Sequence, residues 1–144
     1  MESYLNLKQS LKGALVLALL FSMSSCAKKF AFATSQVVPA AEGKVKVKKG
    51  KNDNYNISLD VIRLAEPQRL QPSRSHYVVW METEQNGTRN IGQLKSKSGF
   101  LSKTLKAELK TVTPFEPRQF FITAEDDATI QYPNGQIVLR TGNL

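Results

Sequence analysis

The chain has 144 residues, and its 20 Lys and Arg against 12 Asp and Glu give a formal charge of +8. That length holds one domain rather than two. One Cys and one His exclude an internal disulfide, a cysteine-based zinc site and a His-rich metal centre, and leave His-dependent catalysis a single residue to work with.

Lys8 and Lys12 precede an unbroken apolar run from Ala14 to Phe21. A hydrocarbon core needs about 20 apolar residues to be crossed, so this run is a signal-peptide core rather than a membrane span. Ser22-Met23-Ser24-Ser25-Cys26 follows. Small residues before a cysteine at this place resemble the lipobox of bacterial lipoproteins, with Met23 where that family usually has Leu. The resemblance implies cleavage before Cys26, removal of residues 1–25, acylation of Cys26 and a membrane held through that lipid. The exported part keeps 18 basic and 11 acidic residues, a net of +7. An exported chain does not meet chromosomal DNA, so nucleic acid is not expected as a partner. Anionic headgroups, lipopolysaccharide or acidic glycans are.

Residues 26–42 read as the lipidated Cys and a linker. Ala27 to Glu42 shows no period, and as a flexible coil it would span roughly 20–25 Å. From Gly43 to Leu144 a β domain is expected. Val45 and Val47 alternate with Lys44, Lys46 and Lys48, and Tyr55, Ile57, Leu59 and Val61 alternate with Asn56, Ser58 and Asp60. That period of two marks half-buried strands, and Gly50 to Asn54 joins them as a hairpin. Ala65 to Ser75, with Pro67 and Pro72, reads as a loop crossing between sheets. His76 to Met81 is apolar on both parities, which predicts a central strand covered on both sides. Asn86-Gly87 predicts a two-residue hairpin turn, and Gly92 within the returning strand predicts a bulge or a close backbone approach. Leu105, Ala107 and Leu109 form a further alternating run. A corner spans Thr113 to Pro117, and two last strands run through Phe120–Glu125 and Ile137–Arg140 around a Pro133-Asn134-Gly135 turn. Seven strands without a helical period predict an all-β, immunoglobulin-like Greek-key sandwich, with a closed barrel as the alternative.

Four segments carry a further resemblance: His76-Tyr77-Val78-Val79-Trp80, Asn90-Ile91-Gly92-Gln93-Leu94, Phe121-Ile122-Thr123-Ala124-Glu125 and Pro133-Asn134-Gly135-Gln136-Ile137-Val138-Leu139. Their order resembles the extracytoplasmic domain of anti-sigma-K-type factors, across roughly Tyr77 to Leu139. That family carries a sigma-binding region and a transmembrane helix before this domain, where this chain has a lipobox. The resemblance therefore implies a sandwich and an envelope setting, not anti-sigma activity. The whole chain is similar to small lipoproteins of the Bacteroidota. In that group acidic residues after the lipidated Cys accompany surface display, and Asp directly after it retains a protein in the inner membrane. Ala27-Lys28-Lys29 stands here instead, which implies the outer membrane and its periplasmic face.

Residues able to do chemistry are few. His76 lacks a Gly-x-Ser-x-Gly partner motif and reads as a hydrogen-bonding strand-edge residue. Glu125, Asp126 and Asp127 are weak candidates for a Ca2+ site, with a solvated turn preferred. Asn52-Asp53-Asn54 lacks the Gly and terminal Glu of a calcium loop. Glu82 and Glu84 share a parity with Trp80, as in a sugar-binding cleft, but cross-strand pairing, with Arg89 across the turn, is the simpler reading. Trp80 and Met81 read as core. Lys44, Lys46, Lys48, Lys49 and Lys51 remain. They protect an edge strand against aggregation, or they form a patch for an anionic ligand. The expectation is a non-enzymatic, cofactor-free envelope lipoprotein whose domain binds or scaffolds an envelope protein or polymer.

Overall fold

The computed structural model describes residues 27–97 and 106–142; the segment expected to be a signal peptide, Cys26 and Leu105 lie outside them. Alternation of apolar and charged residues builds the first sheet. In β2 (Glu42–Lys49) and β3 (Tyr55–Ile62), Val45, Val47, Ile57, Leu59 and Val61 turn inward, and every second residue faces out. β1 (Lys28–Ala31) and β7 (Lys106–Thr113) add to the two outer sides of that pair, and β6 (Lys95–Lys97) adds to β7. The second sheet has the order β5-β4-β8-β9, from β4 (His76–Thr83), β5 (Gly87–Gln93), β8 (Pro117–Glu125) and β9 (Gln136–Arg140). Every pairing is antiparallel. The described residues thus form an all-β fold of nine strands in two sheets, two more strands than expected.

The sheets share one core. Val45, Ile57, Leu59 and Val61 from the five-stranded sheet pack with Val79, Met81, Phe120, Ile122 and Leu139 from the other. The four-stranded sheet is covered on its outer side as well. There Val78, Trp80 and Phe121 form a second cluster under Ala128 and Ile130 of the β8–β9 loop. The Trp80 and Phe121 rings stack with centroids 6.2 Å apart. This second layer is why β4 and β8 are apolar on both parities, as residues 76–81 predicted.

Gly135 lets the loop close over the sheet. A Cβ there would lie 1.8 Å from the Ala124 carbonyl oxygen, so no other residue fits this approach. Gly92 has φ +130°. The β4–β5 register passes from Val79↔Gly92 to Trp80↔Asn90, leaving Ile91 as the extra residue of a bulge.

Two local expectations change. The β4–β5 turn occupies residues 84–86, with Gly87 (φ +65°) opening β5 opposite Thr83. Thr83 Oγ1 accepts the Asn86 N–H at 3.0 Å and donates to the Gly87 carbonyl at 2.9 Å, and these bonds favour the longer loop over a two-residue one. The stretch 27–42, expected as a linker, is also largely part of the fold. Lys28–Ala31 is a strand on β2, Phe32 bridges to Thr141, and Ala33 N–H donates to the Arg140 carbonyl. Ser35 is buried and donates to the Val138 carbonyl, and Val38 and Ala41 join the core. The segment holds because Phe30 and Phe32 pack on that core, a ring over Gly43 in the case of Phe32. It runs from the edge of one sheet to the edge of the other. Among the described residues no helix is long and apolar enough to cross a membrane.

Candidate functional site

The β8–β9 loop roofs part of the outer face of the four-stranded sheet, whereas the outer face of the five-stranded sheet is open to solvent. Register sets what stands on it. Lys46 lies opposite Lys29 of β1 on one side and Ser58 of β3 on the other, and Ser58 lies opposite Lys110 of β7. Lys44 faces Ala31 and Asp60, and Lys48 faces Asn56. A shallow depression of about 390 Å³ runs across these rows, lined by Lys46, Lys48, Asn56, Ser58, Lys110 and Val112. Val112 is 60% exposed, an apolar strip beside the lysines.

β2 is not an edge strand, since β1 covers one side of it and β3 the other. Protection against edge pairing therefore does not account for Lys44 and Lys46, which β1 pairs directly; Lys48 lies one residue past the last β1 pair. These three side chains are exposed and enter no ion pair among the described residues. Two lysines directly opposite each other, Lys29 and Lys46, repel at a Cβ separation of about 5 Å. Lys49 differs from the row: it pairs with Asp53 at 3.0 Å, and the hydrogen bond it donates to that carboxylate raises its pKa above the ordinary lysine value. Lys51 projects from the β2–β3 turn.

The other residues singled out by the sequence are scattered. Glu82 meets Arg140 at 3.4 Å and Glu84 meets Arg118 at 3.2 Å, so both pair with β8–β9 arginines rather than with Arg89. Arg89 instead lies over the Phe115 ring, 5.1 Å from its centroid. The difference follows from β4 being central, which puts β8 beside it as well as β5. Trp80 is wholly buried and donates from Nε1 to Thr123 Oγ1 at 2.7 Å. His76 Nδ1 lies 2.8 Å from Gln93 Nε2.

Glu125, Asp126 and Asp127 diverge. Glu125 is buried and accepts from Thr123 Oγ1 at 2.6 Å and from the Asn134 N–H at 3.1 Å. Asp126 pairs with Arg74 at 2.5 Å. Asp127 accepts from the backbone N–H and the hydroxyl of Thr129, which hold its carboxyl below the usual range. Among the described residues no three His, Cys, Asp or Glu side chains come together as metal ligands.

The chain matches no family model, and comparison with curated proteins and with solved structures returns no match.

Lys29 and Lys110 are the members of the basic face that the sequence did not assign to it. They lie 17 and 64 residues from Lys46 in the chain, and only the strand register brings Lys29 opposite it and Lys110 into the same row beyond Ser58. Lys106, Glu108 and Lys110 alternate with Ala107 and Leu109, which marks an outward row on that strand but not its neighbours.

Proposed function

We propose that the chain is a lipid-anchored envelope protein whose β domain is a non-catalytic binding or scaffolding module, with the outer face of the five-stranded sheet holding an anionic glycan or lipid headgroups. The observation that carries this reading is the lysine row of an interior strand. Lys46 stands directly opposite Lys29, with Lys44 and Lys48 next along its strand and Lys110 beyond Ser58, so like charges gather on an open face whose carboxylates, Asp60 and Glu108, lie at the Lys44 end. A bound polyanion relieves the repulsion that this arrangement imposes. Acylation of Cys26 places the domain in the envelope, where such polyanions are abundant, and the sequence favours the periplasmic side of the outer membrane.

An immunoglobulin-like Greek-key arrangement suits this role. The order β2-β3-β7-β6 against β5-β4-β8-β9 follows the A-B-E-D and C′-C-F-G pattern of such sandwiches, with β1 as an added edge. In that arrangement sheet faces and loop clusters are the usual binding surfaces, on a scaffold rigid enough to keep them in place.

Two measurements test the reading. Fatty-acid labelling of cells should mark the wild type and leave Cys26→Ser unlabelled and outside the membrane fraction. Continued labelling of Cys26→Ser would refute the anchor. Binding to phosphatidylglycerol vesicles and to polygalacturonate should weaken as salt rises. The variant K44Q/K46Q/K48Q should lose roughly 100-fold of that affinity, at about 1 kcal/mol for each of the three lysines near an anionic surface. Unchanged binding by the variant would remove the basic face.

A further inference from the structure

The start of β1 has a consequence for how the anchored protein stands. Lys28 is two residues after Cys26, and it already pairs with Val47. Two extended residues reach at most about 7 Å, less than the Debye length of about 8 Å at physiological ionic strength. An acylated Cys26 therefore leaves the domain no freedom to hang away from the bilayer. The end of the fold that carries the start of β1 must lie at headgroup level.

That end is defined by the topology. Lys28 sits beside the β2–β3 turn, and one shared hollow is lined by Lys28, Lys49, Tyr55 and Glu116. A second hollow joins Lys28 to the β4–β5 turn and to the β7–β8 turn. The opposite end carries the long β3–β4 connection and the β8–β9 loop, tied together by Arg74 and Asp126.

The two ends differ in charge. The anchored end carries Lys28, Lys29, Lys48 and Lys51, all exposed, beside the Lys49–Asp53 and Arg118–Glu84 pairs and the Glu116 carboxylate of the β7–β8 turn, so an excess of positive charge remains. The far end is neutralised internally, by Arg63 with Glu42, Arg69 with Glu66, and Arg74 with Asp126. A positive end held against phosphate-bearing headgroups is electrostatically matched to them.

We infer that the mature protein stands end-on upon an anionic phospholipid surface, its β2–β3 turn and the start of β1 in contact with headgroups and its β3–β4 connection pointing away. This rests on the acylation of Cys26. In this stance the strands run along the membrane normal, so the Lys48 end of the lysine face meets the headgroups and its Lys44 end is presented sideways, open to an anionic glycan.

The test uses the lipidated, full mature protein reconstituted in vesicles of phosphatidylethanolamine and phosphatidylglycerol. The chain's one cysteine is Cys26, and its acylated thiol does not react, so an introduced cysteine takes a fluorophore alone. N52C labels the β2–β3 turn and S73C the far end, both at exposed positions. Energy transfer to a headgroup-attached acceptor should be several-fold stronger from N52C than from S73C. A flexible Gly/Ser insert of 12 residues after Ala27 should remove most of that difference, since it spans roughly 20 Å. K28Q/K51Q should reduce transfer from N52C in the insert-bearing protein, where the lysines alone hold the end down. Equal transfer from both sites, or stronger transfer from S73C, overturns the end-on stance. The mass of the mature N-terminus, read on the same samples, separates the two readings. An acylated protein with equal transfer loses only the stance; an unacylated one loses the anchor and the stance together.

Discussion

Tyr77 is a core residue with a polar end. Only 5% of it is exposed, and its hydroxyl donates to the Ala65 carbonyl at 2.9 Å, fastening the β3–β4 connection to β4. Burial pushes its pKa up from the ordinary 10.0 to about 12. The phenolate is thus disfavoured in the folded protein and free to form in the unfolded one. The stabilisation is complete below pH 10 and drains away as pH climbs from 10 toward 12, a loss on the order of 2–3 kcal/mol. Tyr77→Phe should cost about 1 kcal/mol at neutral pH through the missing hydrogen bond. It should then fall less steeply than the wild type between pH 10 and 12, so the two denaturation curves converge. Parallel losses in that window would show that the Tyr77 hydroxyl does not govern it. The burial of Tyr77, Val79 and Met81 was legible in the sequence as one apolar parity. The Trp80–Thr123–Glu125 hydrogen-bond chain was not, because its members come from different strands and a buried glutamate in a run of acids looks like a solvated turn.

Among the elements, β1 departs most from what its sequence announces. Residues 27–42 lack a sustained period because the strand is four residues long and only Phe30 of it is partly buried, Lys28 of the same parity being exposed at the strand's end. The hint was Phe30-Ala31-Phe32, an alternating aromatic pair in a stretch otherwise made of small residues. β6, three residues long, carries too little pattern to be read at all. Longer strands fared better: the period in β2, β3 and β8 specifies both existence and facing, since a slip of one residue would turn the apolar set to water. The N-terminal segment spans both sheet edges, so its stability contribution should exceed its size. Phe30→Ser with Phe32→Ser should lower unfolding free energy by roughly 2–4 kcal/mol, as expected for emptying apolar contacts. Amide exchange should rise first across residues 29–33 while β4 and β8 stay protected, because the segment opens locally before the core does. Uniform exchange across all strands would mean that β1 unfolds only with the whole domain.

For the whole molecule, composition and period predicted two covered β layers, but pairing order is long-range information. Nothing in residues 106–113 shows that they lie between β3 and β6, and the basic face depends on that neighbour. The same assembly sets how the protein answers to salt. A chain of formal charge +8 repels itself, and the lysine face concentrates the repulsion, with Lys29 opposite Lys46 and Lys44 and Lys48 next along the strand. Ion pairs elsewhere respond in the opposite sense but weakly, since exposed pairs contribute about 0–1 kcal/mol each. Raising ionic strength shortens the Debye length from about 30 Å at 0.01 M to about 8 Å at 0.15 M, which screens the face. Directly opposed like charges cost roughly 0.2–1 kcal/mol per pair, so the wild-type melting temperature should climb by about 2–4 °C over that range. K44Q/K46Q/K48Q should start higher at low salt and climb by less than half as much. The measurement is a thermal melt of both proteins across the same salt series without any ligand. Identical salt slopes would mean that the three lysines are too far apart to repel, and a polyanion would then gain nothing by bridging them.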